Sequence, residues 1–73
     1  MQMKISYDPK YDVMYIKFSD AKIVDTVEVD EGIIIDYGEH GEIVGIEIIN
    51  ASVRIKSKPL SEITIKIEEQ AAP

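Results

Sequence analysis

The chain has no cysteine and no tryptophan, and only one histidine and one phenylalanine among its 73 residues. Without cysteine there can be no disulfide and no thiolate metal site, which fits a reducing cytoplasm, the compartment expected here. Basic residues are scarce: eight Lys and Arg stand against fourteen Asp and Glu, a formal charge of -6. Such a surface repels phosphate backbones and anionic lipid, so neither a nucleic acid nor a membrane is an expected partner. Long-range attraction favours a basic protein instead. The longest purely aliphatic stretch is Ile33 to Ile35. Neither a secretory signal nor a membrane-spanning segment is expected from it.

What is present is β-strand material. Val, Ile, Thr and Tyr dominate between short clusters of Asp, Gly, Pro and Lys, and this punctuation predicts an all-β fold with room for one short helix. The expectation is an antiparallel β-meander of about six strands in a single domain over residues 1–69, followed by a disordered tail over residues 70–73. The strands fall at Lys4 to Tyr7, Val13 to Phe18, Val24 to Val29, Ile33 to Tyr37, Glu42 to Ile49 and Ile63 to Glu68. From Asn50 to Glu62 the pattern fits either a short helix capped by Asn50 or a strand through Val53 and Ile55, and Pro59 ends either one.

Turns set the register, and register decides which side chains share a face. Asp30-Glu31-Gly32 and Glu39-His40-Gly41 both fit three-residue hairpin loops closed by a left-handed Gly, pairing Val29 with Ile33 and Gly38 with Glu42. Counting outward puts Val27, Val29, Ile33, Ile35, Tyr37, Ile43 and Ile49 on one face, the expected core. Thr26, Glu28, Ile34, Asp36, Val44, Ile46 and Ile48 then fall on the other. A sheet wetted on one side should alternate apolar and polar residues, so four aliphatic residues on that second face predict that something covers it. Ile34, Val44, Ile46 and Ile48 are therefore the expected interface of a homodimer, with the segment from Val53 to Ile67 folding back over them as the internal alternative. A four-residue loop from Asp8 to Tyr11 places Met3, Ile5, Tyr7, Met14, Ile16 and Phe18 on one apolar face of the first hairpin.

Few residues suggest chemistry. His40 sits alone in a turn, and neither a triad nor a two-histidine metal site can be built from it. Asp8 and Asp12 flank a Pro-containing loop, where Asp accepts backbone N–H bonds. The run Asp36-x-Gly38-x-His40-Gly41-x5-Glu47 has the first Asp, central Gly and last Glu of a calcium loop. It has Gly and His where two more oxygen ligands belong, and strands where helices belong. Glu47 is the least ordinary residue, because the turn register aims its carboxylate into the core opposite Ile33, where it must be paired, neutralised or functional unless it reaches water at the sheet margin. No catalytic residue, no metal ligand and no cofactor follow from these residues, and an enzyme is not expected.

The run Ile5-Ser6-Tyr7-Asp8-Pro9-Lys10-Tyr11-Asp12-Val13-Met14-Tyr15-Ile16, with Glu28-Val29-Asp30-Glu31-Gly32-Ile33 and Gly41-Glu42-Ile43-Val44-Gly45-Ile46-Glu47-Ile48, resembles domain-of-unknown-function family 2283. The resemblance covers about residues 3 to 49. It implies a small prokaryotic β-rich protein with no assigned activity, and for some members a place beside small toxins in toxin–antitoxin pairs. A non-enzymatic protein–protein interaction module, the neutralising partner of a small basic toxin, is the expected function, and a small-ligand or metal-binding sheet protein is the alternative.

Overall fold

The computed structural model describes residues 3–56, 60 and 62–71. Five antiparallel strands form one sheet: β1 (Lys4–Asp8), β2 (Val13–Lys17), β3 (Asp25–Asp30), β4 (Ile33–Tyr37) and β5 (Ile43–Ile49), followed by a single-turn helix, α1 (Ala51–Arg54). Strands β3 to β5 run as a meander, and β5 then closes against β2, giving the order β1-β2-β5-β4-β3. The longest strand is therefore central, with both of its edges paired. The strand expected over Ile63 to Glu68 is not formed. Alternation gives a segment the shape of a strand but supplies it with no neighbour. In the open stretch after Asn50 the helix wins over the strand. Pro59 lies outside the described residues, as do the last two of the expected tail.

The first hairpin pairs Ile5 with Ile16 and Tyr7 with Met14, leaving a loop of Pro9 to Asp12. The expected loop was Asp8 to Tyr11, so the register moves by two residues. Because side chains alternate with a period of two, that shift leaves Ile5, Tyr7, Met14 and Ile16 on their expected face, while Met3 and Phe18 fall outside the two strands. In the second hairpin Glu28 pairs with Ile34 and Val27 with Ile35, as expected, but Asp30 and not Val29 stands opposite Ile33, because a register shift between Glu28 and Asp30 makes Val29 an extra residue beside the turn. Gly32 and Gly41 close their turns at φ of +73° and +80°, the left-handed region that favours glycine.

The third hairpin departs from the expected register, with large effect. Gly38 N–H donates to the Glu42 carbonyl at 2.9 Å, and Tyr37 stands opposite Ile43. Asp36, however, stands opposite Gly45, so Val44 is an extra residue in β5. This is a β-bulge. From it onward Ile35 faces Ile46, Ile34 faces Glu47 and Ile33 faces Ile48. Every side chain of β5 beyond the bulge is on the face opposite to the one expected. Ile46 and Ile48 join Ile33 and Ile35, whereas Ile34 lies on the other face and Val44 is buried. The four residues expected to form one interface do not share a face.

Two features hold the bulge. The Val44 carbonyl accepts bonds from Phe18 N–H at 2.8 Å and from Ser19 N–H at 3.3 Å, tying it to the end of β2. Gly45 has no side chain because the Tyr15 ring and hydroxyl occupy the space a Cβ would need. Gly45→Ala is expected to lower stability by about 1–3 kcal/mol through overpacking, read from the urea midpoint. The penalty should shrink in a Tyr15→Ala background, where the obstructing ring is gone.

Candidate functional site

Cross-strand partners share a face, so the register sorts the sheet into two surfaces. One carries Ile5, Tyr7, Met14, Ile16, Val27, Ile33, Ile35, Ile46 and Ile48, drawn from all five strands. The other carries Lys4, Ser6, Tyr15, Lys17, Thr26, Glu28, Asp36 and Glu47, with Gly45 between them and Ile34 and Ile49 at its apolar end. Glu47 belongs to this polar face, between Tyr15 and Ile34, and not to the core. It lies on the central strand, so it is not at the sheet margin either. The bulge at Val44 is the reason for the first correction, and the pairing of β5 with both β2 and β4 is the reason for the second.

On the polar face Asp36 is the acceptor of a small network. The Tyr15 hydroxyl donates to its Oδ2 at 2.8 Å and the Thr26 hydroxyl to its Oδ1 at 2.7 Å. Burial, the hydrogen bond to Asp36, and the negative charges of Asp36 and Glu47 push the Tyr15 phenol up to about 12. A phenol held so firmly protonated is a donor at neutral pH, not a nucleophile. Both Asp36 oxygens are engaged, which leaves the first position of the calcium-loop pattern committed to the sheet. Among the described residues, no three His, Cys, Asp or Glu side chains are grouped to hold a metal ion. His40 is exposed in its turn, with Nδ1 3.9 Å from Glu42. The Glu42 carboxyl is held below its ordinary range, chiefly by the bond it accepts from His40 N–H.

The Tyr-Asp-Pro-Lys-Tyr-Asp run makes a joint rather than a ligand site. Asp8 Oδ1 accepts from Lys10 N–H at 2.9 Å, closing the turn after β1. Asp12, at a left-handed φ of 55°, reaches in two directions. Its carboxylate accepts from the Tyr7 hydroxyl at 2.8 Å on one side and from Ser52 N–H and Oγ at 2.9 and 2.6 Å on the other. Its carbonyl accepts from Ala51 N–H at 3.0 Å. Asn50 leads into α1 with no side-chain cap bond of its own. Asp12 thus supplies from a distant loop the cap that the local sequence assigned to Asn50. At the helix end Arg54 Nη1 donates to the Glu31 carbonyl at 2.6 Å, tying α1 to the β3–β4 turn.

The bonds from Ser52 and Tyr7 hold the Asp12 carboxyl below its ordinary value of 3.8. A carboxyl whose folded value is depressed adds stability above its unfolded value and loses it as the pH falls through the folded one. Melting temperature should therefore drop on acidification below the ordinary carboxylate range. Asp12→Asn should melt lower at neutral pH and show a smaller acid drop, as followed by circular dichroism.

No helix among the described residues is long and apolar enough to cross a membrane. No solved structure matches the chain. An uncharacterised protein of Methanocaldococcus jannaschii is 44% identical over 52 residues, which make up 71% of this chain and 44% of the relative, so the chain spans less than half of that protein's length. The family model for proteins of unknown function, DUF2283, matches residues 4–52, from the first strand into α1. With the Tyr7-Asp8 and Asp12 joint and the bulged β5 inside that span, the chain belongs to the DUF2283 family.

Proposed function

We propose that this protein is a non-enzymatic protein–protein interaction module that works as a homodimer, with the apolar faces of two sheets packed on each other. The carrying observation is the apolar face itself, built from all five strands. A sheet with one apolar face needs a second layer. Among the described residues the only regular element outside the sheet is the four-residue α1. Among the described residues the buried apolar ones are Met14, Val44 and Ala51, too few for a core.

Surface area supports the same reading. The chain exposes 5901 Å², where a compact monomer of its mass would expose roughly 4,500 Å². Its radius of gyration is 13.8 Å, against about 11 Å for a compact domain of this length. Residues 62–71, which lie outside every strand, share that surplus with the apolar face, and the roughly 800 Å² per partner of a stable interface fits within it. A small-ligand reading has less to stand on, since Asp36 already spends both oxygens within the sheet.

Light scattering should give the mass of two chains at micromolar concentration. Val27→Lys, at the exposed end of the apolar face, should keep the strand spectrum and weaken the dimer. Losing about 1.5–3 kcal/mol of burial in each copy raises the dissociation constant roughly a hundredfold or more. Ile46→Lys, nearer the centre, should abolish the dimer. A wild type that stays monomeric at high concentration would refute this reading.

A second reading concerns the partner of the dimer, and the acidic edge favours it. Asp25, Glu28 and Asp30 of β3 and Glu31 of the next turn lie along the outer strand of a chain with net charge -6. A small basic protein, of the toxin kind the sequence resemblance implies, would be drawn to this edge in the cytoplasm. Its association rate should fall steeply with added salt, and stopped-flow mixing would measure it. A rate indifferent to salt would count against the acidic edge as the docking surface.

A further inference from the structure

Glu62-Ile63-Thr64-Ile65-Lys66-Ile67-Glu68 has the alternation of a strand with one apolar face, yet it belongs to no strand in the structure. Ile65 and Ile67 are 51% and 89% exposed. The sheet, for its part, ends in two open edges, β1 and β3. Edges of this kind accept an added strand unless charge or a bulge discourages it.

The two edges differ. β3 carries Asp25, Glu28 and Asp30 and a register shift between Glu28 and Asp30. A segment with Glu62, Glu68 and Glu69 would meet like charge there. β1 pairs with β2 without a shift. It sends Ile5 and Tyr7 to the apolar face and Lys4, Ser6 and Asp8 to the polar one.

We propose that residues 63–68 of one copy add to the β1 edge of a second copy as an antiparallel sixth strand. Ile67 then stands opposite Ile5, Ile65 opposite Tyr7, Lys66 opposite Ser6 and Glu68 opposite Lys4. This register sends the three isoleucines to the apolar face and sets Glu68 against Lys4. Moving it by two residues so that Lys66 faces Lys4 would set Glu62 against Asp8, and moving it by one would turn the isoleucines onto the polar face. The partner's edge is chosen because the segment does not pair with its own β1. The proposal rests on the homodimer reading and extends the face that reading buries.

The absence of native cysteine makes a direct test available. Two variants, Ser6→Cys and Lys66→Cys, are purified separately, mixed, oxidised mildly and run on a denaturing gel without reductant. A band linking one chain of each kind is expected, with far less product when Ile65→Cys replaces Lys66→Cys. A chain carrying both Ser6→Cys and Lys66→Cys that closes only on itself would overturn the exchange between copies. Ile67→Lys should weaken the dimer at least about tenfold. If light scattering shows a dimer while no mixed band forms and Ile67→Lys leaves its affinity unchanged, strand addition is wrong and the face-to-face dimer stands. If the wild type is a monomer, the dimer reading fails and takes this one with it.

Discussion

The single extra residue at Val44 decides what each side of this sheet is. Up to Ile43 the hairpin follows its turn, and beyond Gly45 every side chain of the central strand is on the opposite face from where a regular ladder would put it. Because β5 is paired on both edges, the inversion sets the alignment with β2 as well as with β4. Met14 meets Ile48, Ile16 meets Ile46, and Glu47 lands beside Tyr15 instead of among isoleucines. One apolar face and one polar face result. Without the bulge each face would be a mixture, and a carboxylate would sit among aliphatic side chains with no partner.

Asp12 does for the chain ends of the sheet what the bulge does for its middle. The first hairpin and α1 are forty residues apart in sequence at the Asp12–Ser52 contact, and the helix is a single turn that would not persist alone. Capping from Asp12, a backbone bond to Ala51 and the reach of Arg54 to Glu31 fix that turn against the first and second hairpins. Tyr7 adds a fourth anchor from within the apolar face. The motif that carries the family resemblance is thus a structural joint, and its acidic residues are spent on hydrogen bonds inside the chain.

Much of this was legible in the sequence, and the misassigned faces of β5 have one cause. Hairpin positions, turn glycines and the apolar face of the first hairpin followed from local chemistry, and a loop misplaced by two residues did no harm because two is the period of a strand. The bulge changes parity, and parity is what a turn count carries forward. Two signals pointed to it all the same. Gly45 inside a strand pattern marks a bulge or a close approach of another group, and here it marks both. Glu47 among isoleucines was a conflict between pattern and register, and the correct resolution was to change the register. The capping role of Asp12 was not legible, since nothing in the local sequence near Asn50 says which distant loop will reach it.

With the parity set by the bulge, the apolar surface is carried by a different set of residues from the four expected. Ile34, Val44, Ile46 and Ile48 are divided among the polar face, the interior and the apolar face, so no single surface of four aliphatics exists. In their place is one face to which all five strands contribute, on a chain whose described residues bury few apolar side chains. Burial at roughly 25 cal/mol per Å² is the main stabilising term open to a domain of this size. Disulfides are excluded by composition. In the proposed dimer the second layer comes from another copy, which completes the core and leaves the polar face and the acidic β3 edge turned outward.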